Sequence, residues 1–438
     1  MSQKITIIGG GSSIFTPQLI ALFIKSKQLQ GSVVTLMDIN PQRLELMDTL
    51  SRHLVEQTGS DLKIESTTDR RQSLEGADFV ITTISVGGFD AWENDIEIPA
   101  KYGVYQPIGD SVGPGGIMRA FRHVLPMVEL CQELEQVSPD AWVFNYTNPA
   151  TALCWAMSKE SKIKVVSLCT NTVYLRNEKF MAHWVGVKPD QVIVPPPAAG
   201  INHCAGILEW RLTDGRDAFP MILKKIRHPV IRWGLERYNF LPYSWPHWQE
   251  FYPSLGKLEG EYKGRLQGLS MSFGHPVHDM NVERGRVKSW EDMVANWMSG
   301  EGEVSLETLP KTEPVQVVEI MEAIIEDREE VHVVNVMNNG AIDNLPDDAV
   351  VEVSAQVSGQ GVKPLHVGAM PEAIAAFLRL HISVQQITVE AALTGDRKLA
   401  LQALELEPFV AATLTIEETP KLLDEMMSAH ASYLPQFQ

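Results

Sequence analysis

The fold turns on residues 4–38, KITIIGGGSSIFTPQLIALFIKSKQLQGSVVTLMD. An apolar run, Lys4–Ile8, suits a buried strand. Gly9-Gly10-Gly11-Ser12-Ser13-Ile14 follows, and then Thr16-Pro17, which reads as an N-cap with proline in the first helical turn. Gly31 is placed to end that helix, residues 32–37 (SVVTLM) read as a second strand, and Asp38 closes it. Strand, glycine turn, helix and acid-tipped strand make the pattern of a dinucleotide site. Small residues let the backbone approach a pyrophosphate, and the helix N-terminus supplies N–H donors. Ile14 replaces the third glycine, so the turn says less alone than its setting does. A carboxylate at Asp38 would accept both ribose hydroxyls and repel a 2′-phosphate, which favours NAD over NADP. The expected cofactor contacts are Gly9, Gly11, Ser12, Ser13 and Asp38, with Gly87 after a later strand. A glycine-rich turn with a solvent-facing acid is the plainer alternative, and Gly87-Gly88 reads equally as an ordinary turn.

Outward from this stretch the alternation continues. Pro41 opens a helix to about Gln57, and residues 78–86 (DFVITTISV), 141–146 (AWVFNY) and 164–168 (KVVSL) read as further strands. Strands separated by helical crossovers imply a parallel sheet covered on both faces. Pro195-Pro196-Pro197 breaks the pattern. Residues 207–212 (ILEWRL) then read as a strand, 220–310 as aromatic-rich loops, 314–328 as a helix, 348–357 (DAVVEVSAQV) as a strand, and everything from Pro371 as helix. The expectation is an α/β protein. Residues 1–195 form a Rossmann-type doubly wound NAD-binding domain, and 196–438 form an α+β domain for substrate and oligomerisation.

Against 37 Lys+Arg stand 55 Asp+Glu, a net charge of −18 over 438 residues. Phosphate backbones and anionic lipid surfaces need concentrated positive charge, so neither nucleic acid nor a membrane is an expected partner. Four cysteines, Cys131, Cys154, Cys169 and Cys204, form no CxxC pair, which argues against a disulfide framework or a zinc ribbon. The uncharged run 5–24 lacks the continuous apolar centre of a signal peptide or a membrane span. A cytoplasmic protein is expected.

Polar clusters recur where strands should end, the usual ligand edge of an open α/β sheet. Asn148, in Asn145-Tyr146-Thr147-Asn148-Pro149, could cap a helix or serve substrate hydroxyls. Cys169 could be a small buried apolar group or a thiolate ligand, and His203, in Asn202-His203-Cys204, a structural imidazole or its co-ligand. One thiolate and one imidazole suit a divalent transition ion with open positions. Asp110 lies in a glycine-dense loop, Gly109-Asp110-Ser111-Val112-Gly113-Pro114-Gly115-Gly116, which reads as a substrate contact or as a connection.

Taken together and in order, GGGSS after the first strand, GDSVGPGGIMRAFR (109–122), NYTNP (145–149), the Cys169 strand end, Asn202-His203 and NVMNNGAIDNLPD (335–347) resemble glycoside hydrolase family 4 or a close sister family. That resemblance implies a fold shared with lactate and malate dehydrogenases, NAD and a divalent metal, usually Mn²⁺, and a small-molecule glycoside substrate. It also implies a mechanism. NAD takes a hydride from C3, and the ketone acidifies the C2 proton. A metal held by Cys169 and His203 polarises that ketone through the C2 and C3 oxygens. A base removes the C2 proton and the C1 substituent leaves. Water then adds, and NADH returns the hydride. By position, Asn148 contacts the sugar and Tyr252 is the nearest base, while another register puts Phe251 there and Tyr262 is a further choice. A homodimer or homotetramer is expected.

Two departures stand out. Thr170 follows the metal cysteine where the family commonly has Asp, Asn or His, and a hydroxyl is too poor an acid to protonate a leaving group. Asp110, His247 or water is left for that task. For an anionic sugar substituent no clear clamp stands out; Arg286, Arg265 and Arg284 are available, but arginines spread across a loop region are ordinarily solvated surface. IGDS resembles members acting on unphosphorylated galactosides and uronides, and GGGSSIFTP resembles the phospho-sugar members. Two other readings stand beside the glycosidase: an NAD-dependent hydroxy-acid or sugar dehydrogenase, and a non-catalytic NAD- or sugar-binding protein.

Overall fold

A computed structural model describes residues 2–244, 247–255, 280–310 and 315–438. Six strands, Lys4–Ile8 (β1), Val33–Met37 (β2), Lys63–Thr67 (β3), Phe79–Thr82 (β4), Trp142–Asn145 (β5) and Lys164–Ser167 (β6), run parallel in the order β3-β2-β1-β4-β5-β6. Strand order reverses between β1 and β4, so the crevice above those two carboxyl ends is the switch point where ligands bind. Ala198–Ile201 (β7), Cys204–Ile207 (β8) and Leu241–Pro242 (β9) form a separate antiparallel sheet. Glu330–Met337 (β10), Val350–Ser358 (β11) and Gly361–Pro364 (β12) then join the first sheet beside β6, making it nine-stranded. The doubly wound α/β class is as expected.

Parallel strands covered on both faces need apolar side chains in both directions, and Ile5, Ile7, Val34, Leu36, Val80, Ile81, Val143 and Phe144 are all fully buried. The core they begin extends without a break to Leu434. A smaller cluster around Trp210 sits beneath β7–β9. The Glu372–Thr394 helix packs on the Gly113–Val137 and Ala150–Glu160 helices, so the C-terminal helices cover the first sheet as well.

Several elements differ from the sequence reading. The first helix is Thr16–Lys25, with Phe15 at its cap and no side-chain capping bond. Thr16 instead donates its hydroxyl to the Gly10 carbonyl at 2.9 Å, which pins the glycine turn to the helix start. Gly31 does not end that helix; it turns the chain into β2 at φ +78°. Of residues 207–212 only Ile207 is in a strand, because the chain then bends to bury Trp210 and Leu212, the Trp210 indole donating to the Ile193 carbonyl. β3 and β10 were not anticipated. Asn40 caps the Pro41–Thr58 helix through its side chain, and the helical C-terminal region is as read.

Candidate active site

The glycine turn follows β1, Asp38 follows β2, Asn145–Pro149 closes β5 and Cys169 follows β6, all at carboxyl ends of the parallel strands, while residues 109–116 lie between β4 and β5 and Asn202-His203 between β7 and β8. Gly9 leaves β1 at φ +93°, and a Cβ there would stand 2.8 Å from the Thr83 carbonyl oxygen. A Cβ on Gly10 would meet the Leu36 backbone at 2.9 Å, and one on Gly11 the Asp38 carboxylate at 2.8 Å. These glycines draw the turn against β2 and β4, leaving a cradle that any side chain would fill. Asp38 accepts from the Gly11 N–H at 3.0 Å and the Asn40 N–H at 2.8 Å, so the carboxylate is fixed beside the turn. Ser12 accepts from the Phe15 N–H, and Ser13 is buried. Gly87 has a sufficient local cause: φ is +80°, and a Cβ would stand 2.5 Å from that of Ala91.

Beside this crevice Asp110, Ser111, Asn148 and His203 form one chain of hydrogen bonds. The Asn148 amide donates to Asp110 at 2.9 Å, the Ser111 hydroxyl donates to the other Asp110 oxygen at 2.7 Å, and Ser111 Oγ lies 3.1 Å from His203 Nδ1. The capping role for Asn148 is not realised, since Pro149 occupies the cap of the Ala150–Glu160 helix and its side chain makes no capping bond. Arg119, missed as a site residue, is buried here. Its Nε donates to the Asn148 carbonyl at 3.1 Å and its Nη2 to Ser85 at 3.2 Å. Burial lowers its pKa, with the charge of Asp110 opposing.

Cys169 and His203 meet. Burial alone would depress the His203 imidazole, but the neighbouring Cys169 side chain and Glu250 carboxylate overcome it and hold the pKa well above its ordinary value. His203 sits at φ +67°, a left-handed conformation that is costly for a non-glycine residue and is tolerated where the surroundings fix it. His247 stacks on it with ring centroids 3.8 Å apart. Glu250 bonds His247 Nδ1 through one oxygen, and its other oxygen lies 3.7 Å from His203 Nδ1 with no hydrogen-bond partner. Burial opposes its charge, but the two imidazoles pull the Glu250 pKa down to about 2. A buried thiol, two imidazoles and an under-satisfied carboxylate are a donor set a divalent cation fits, and His203, His247 and Glu250 come within 4.8 Å of one another. The HxxE spacing is the trace this pair leaves in the sequence; only its histidine was read.

Two further buried groups lie behind His203. Tyr243 donates to Glu352 at 2.5 Å, and the other Glu352 oxygen accepts from Asn202 and Asn335, each at 3.0 Å. Burial raises the Tyr243 pKa well above its ordinary value, and the Glu352 carboxylate it is bonded to adds to that. Tyr252 is not brought into this network. Its ring lies on Phe377 and among Trp233 and Trp248, burial raises its pKa, and its hydroxyl makes no hydrogen bond among the described residues. Phe251 is fully buried. Arg284 is paired with Glu93 and Asp90, and Arg286 is exposed on the Met280–Met298 helix. Tyr262 and Arg265 lie outside the described residues. Among the described residues no helix is long and apolar enough to cross a membrane.

A glycine turn and an acid at the switch point of a doubly wound sheet belong to a dehydrogenase-like α/β fold. Malate dehydrogenase from Plasmodium falciparum in complex with NADH shares the fold at a TM-score of 0.52 and 10% identity, over 91% of this chain and 99% of that one. The thiol–imidazole pair narrows the class, and sequence comparison fixes it. Residues 4–186 match the family 4 glycosyl hydrolase description and 198–410 its C-terminal domain. The α-galactosidase of Bacillus subtilis (strain 168) is 31% identical over 100% of both chains. A 6-phospho-alpha-glucosidase from gut microorganisms, in complex with NAD and glucose-6-phosphate, superposes at a TM-score of 0.81, with 23% identity over 100% of both chains. The chain belongs to the family 4 glycosyl hydrolases, and it is a glycosidase.

Proposed function

We propose that this glycosidase cleaves O-glycosidic bonds of small sugars with NAD and a divalent cation, Mn²⁺ by preference, as resident groups. The observation that carries the reading is the meeting of Cys169 with His203 on the edge that also holds the glycine turn, Asp38 and the Asp110–Asn148 pair. Bound there, NAD supplies a reversible hydride acceptor for C3 and the cation a Lewis acid for the C2 and C3 oxygens.

The protein's own residues do the rest. Gly9, Gly11, Ser12 and Ser13 admit the pyrophosphate, and Asp38 takes the ribose hydroxyls. Cys169 and His203 hold the cation. Asn148, its amide fixed by Asp110, orients the sugar, and Arg119 fixes the backbone of Asn148 in turn. The C2 proton goes to a phenol. Tyr243 is favoured over Tyr252, because its 2.5 Å bond to Glu352, which also holds Asn202 next to His203, fixes its hydroxyl in the network behind that histidine, whereas Tyr252 faces other rings. Residues 1–195 carry the cofactor together with Cys169 and Asn148, and 196–438 supply His203, the proton acceptor and the surface for a homodimer or homotetramer. The four free thiols suit a reducing, cytoplasmic setting.

The test is aglycone release from aryl α- and β-glycosides, including 6-phospho and uronic sugars, under reducing conditions with and without NAD and Mn²⁺. Release that needs both, with no net NADH, is expected. NADH accumulating without aglycone would instead identify a dehydrogenase.

A further inference from the structure

We infer that Glu250, braced by His247, is the outer clamp of the metal-binding histidine: with Ser111 it keeps the proton on His203 Nδ1 and so presents Nε2 to the cation. The inference rests on the reading that His203 holds the metal. It follows from what surrounds Nδ1. Ser111 Oγ is 3.1 Å away, and because its hydroxyl hydrogen goes to Asp110, its lone pairs face the imidazole. Glu250 Oε2 is 3.7 Å away and carries no hydrogen-bond partner of its own. Two acceptors flank this nitrogen, so in the neutral ring that a cation requires the proton is on Nδ1 and the lone pair on Nε2.

Glu250 is built for that task and for little else. It is buried, and its first oxygen is taken by His247 Nδ1, so the carboxylate cannot swing away from His203. His247 stacks on His203 at 3.8 Å, so the pair also fixes the tilt of the ring. A carboxylate behind a metal-bound imidazole makes the imidazole more basic and locks its orientation, and loss of such a partner typically weakens metal binding by about 10- to 100-fold. Ser111 extends the clamp through Asp110 to Asn148, so the groups proposed to hold the metal and the sugar share one hydrogen-bonded frame.

The competing arrangement makes Glu250 and His247 direct ligands, and pulsed EPR of the NAD-loaded, Mn²⁺-loaded protein separates the two. The clamp predicts coupling to a single imidazole nitrogen donor, lost in His203→Ala and retained in His247→Ala and Glu250→Gln. It also predicts Mn²⁺ dissociation constants raised about 10-fold or more in Glu250→Ala, less in Glu250→Gln, and most in the Ser111→Ala/Glu250→Gln double variant. A second nitrogen coupling that disappears in His247→Ala would overturn the clamp in favour of direct ligation. Unchanged Mn²⁺ affinity in Glu250→Ala and the double variant, with normal melting, would reduce the pair to a buried ion pair. Coupling that survives His203→Ala would remove the metal reading itself, a failure distinct from the other two.

Discussion

Asp38 and Gly11 are legible in the sequence for the same reason that they are sensitive. Only glycine lets the turn press against the carboxylate, so both leave a residue-type signature. Gly11→Ala would place a Cβ 2.8 Å from the Asp38 carboxylate oxygen and 3.0 Å from Arg43 Cβ. The carboxylate must then move from the position proposed to receive the ribose. We expect NAD affinity to fall about 10-fold or more with melting little changed, read by calorimetric titration, and unaltered affinity would argue against an adenosine ribose at Asp38. Cys169→Ser and His203→Ala should each abolish metal-dependent release while folding normally; full activity in either would remove that ligand. The tyrosines give a paired test. Tyr252→Phe keeps every ring contact and should turn over like the parent, whereas Tyr243→Phe loses the bond to Glu352 and should drop kcat by about 100-fold or more. The reverse ranking would return the base to Tyr252. Glu250 and Glu352 escaped the sequence reading because a single buried acid is spelled like any surface acid, and only its distant partners distinguish it.

Elements were legible where their burial is uniform. β1, β2, β4, β5 and β6 announce themselves by apolar runs, whereas β3, KIEST, is an edge strand with one buried residue in five and reads as a polar connection. The short Pro408–Ala411 helix hides a titrating cap that no pattern reveals. Glu407 accepts from the Val410 N–H at 2.9 Å, its other oxygen has no partner, and burial pushes its pKa up to about 7, its bonds from the Val410 and Phe409 amides opposing. It shares a cavity of about 20 Å³, room for one water, with His381 and Gln385, each of which also carries an unpartnered polar atom. The folded pKa lies above the ordinary 4.5, so between those values the native state binds more protons than the unfolded one. Stability is therefore fully present below about pH 4.5 and is lost as pH rises toward 7, by on the order of 3 kcal/mol. Burial lowers His381 to about 3, so it acts in the opposite sense, costing stability as pH falls below its ordinary 6.5. The contrast with Glu407→Gln isolates the carboxyl, since the amide keeps an acceptor for the cap. The variant should gain on the parent in melting temperature from pH 5 to pH 8, and a constant difference would show that Glu407 does not titrate there.

At the scale of the molecule, the sequence marks where the chemistry changes near residue 195 but not where the core ends, because the joining contacts are remote in the chain. Asn335 on β10 pairs with Ser167 on β6 and donates to its carbonyl. The Asp95–Arg122 ion pair, fully buried at 2.6 Å, is completed by His430 at 3.0 Å from Asp95. Such links cannot be read from local periodicity, since each depends on a crossover only the finished topology supplies. They imply that the two halves are one folding unit. A fragment ending at residue 195 would bare the β6 edge, uncover the Gly113–Val137 and Ala150–Glu160 helices where Glu372–Thr394 packs, and leave Arg122 without its histidine. We expect that fragment to show no cooperative melt and to bind the apolar dye ANS, while the whole chain unfolds in one calorimetric transition. Asp95→Asn in the intact chain should lower that single transition, by about 3–5 kcal/mol, because it strands a buried guanidinium next to the C-terminal helices. Two resolved transitions in the whole chain, with only one of them shifted by Asp95→Asn, would show instead that the cofactor half carries its own core and that the nine-stranded sheet is assembled by docking.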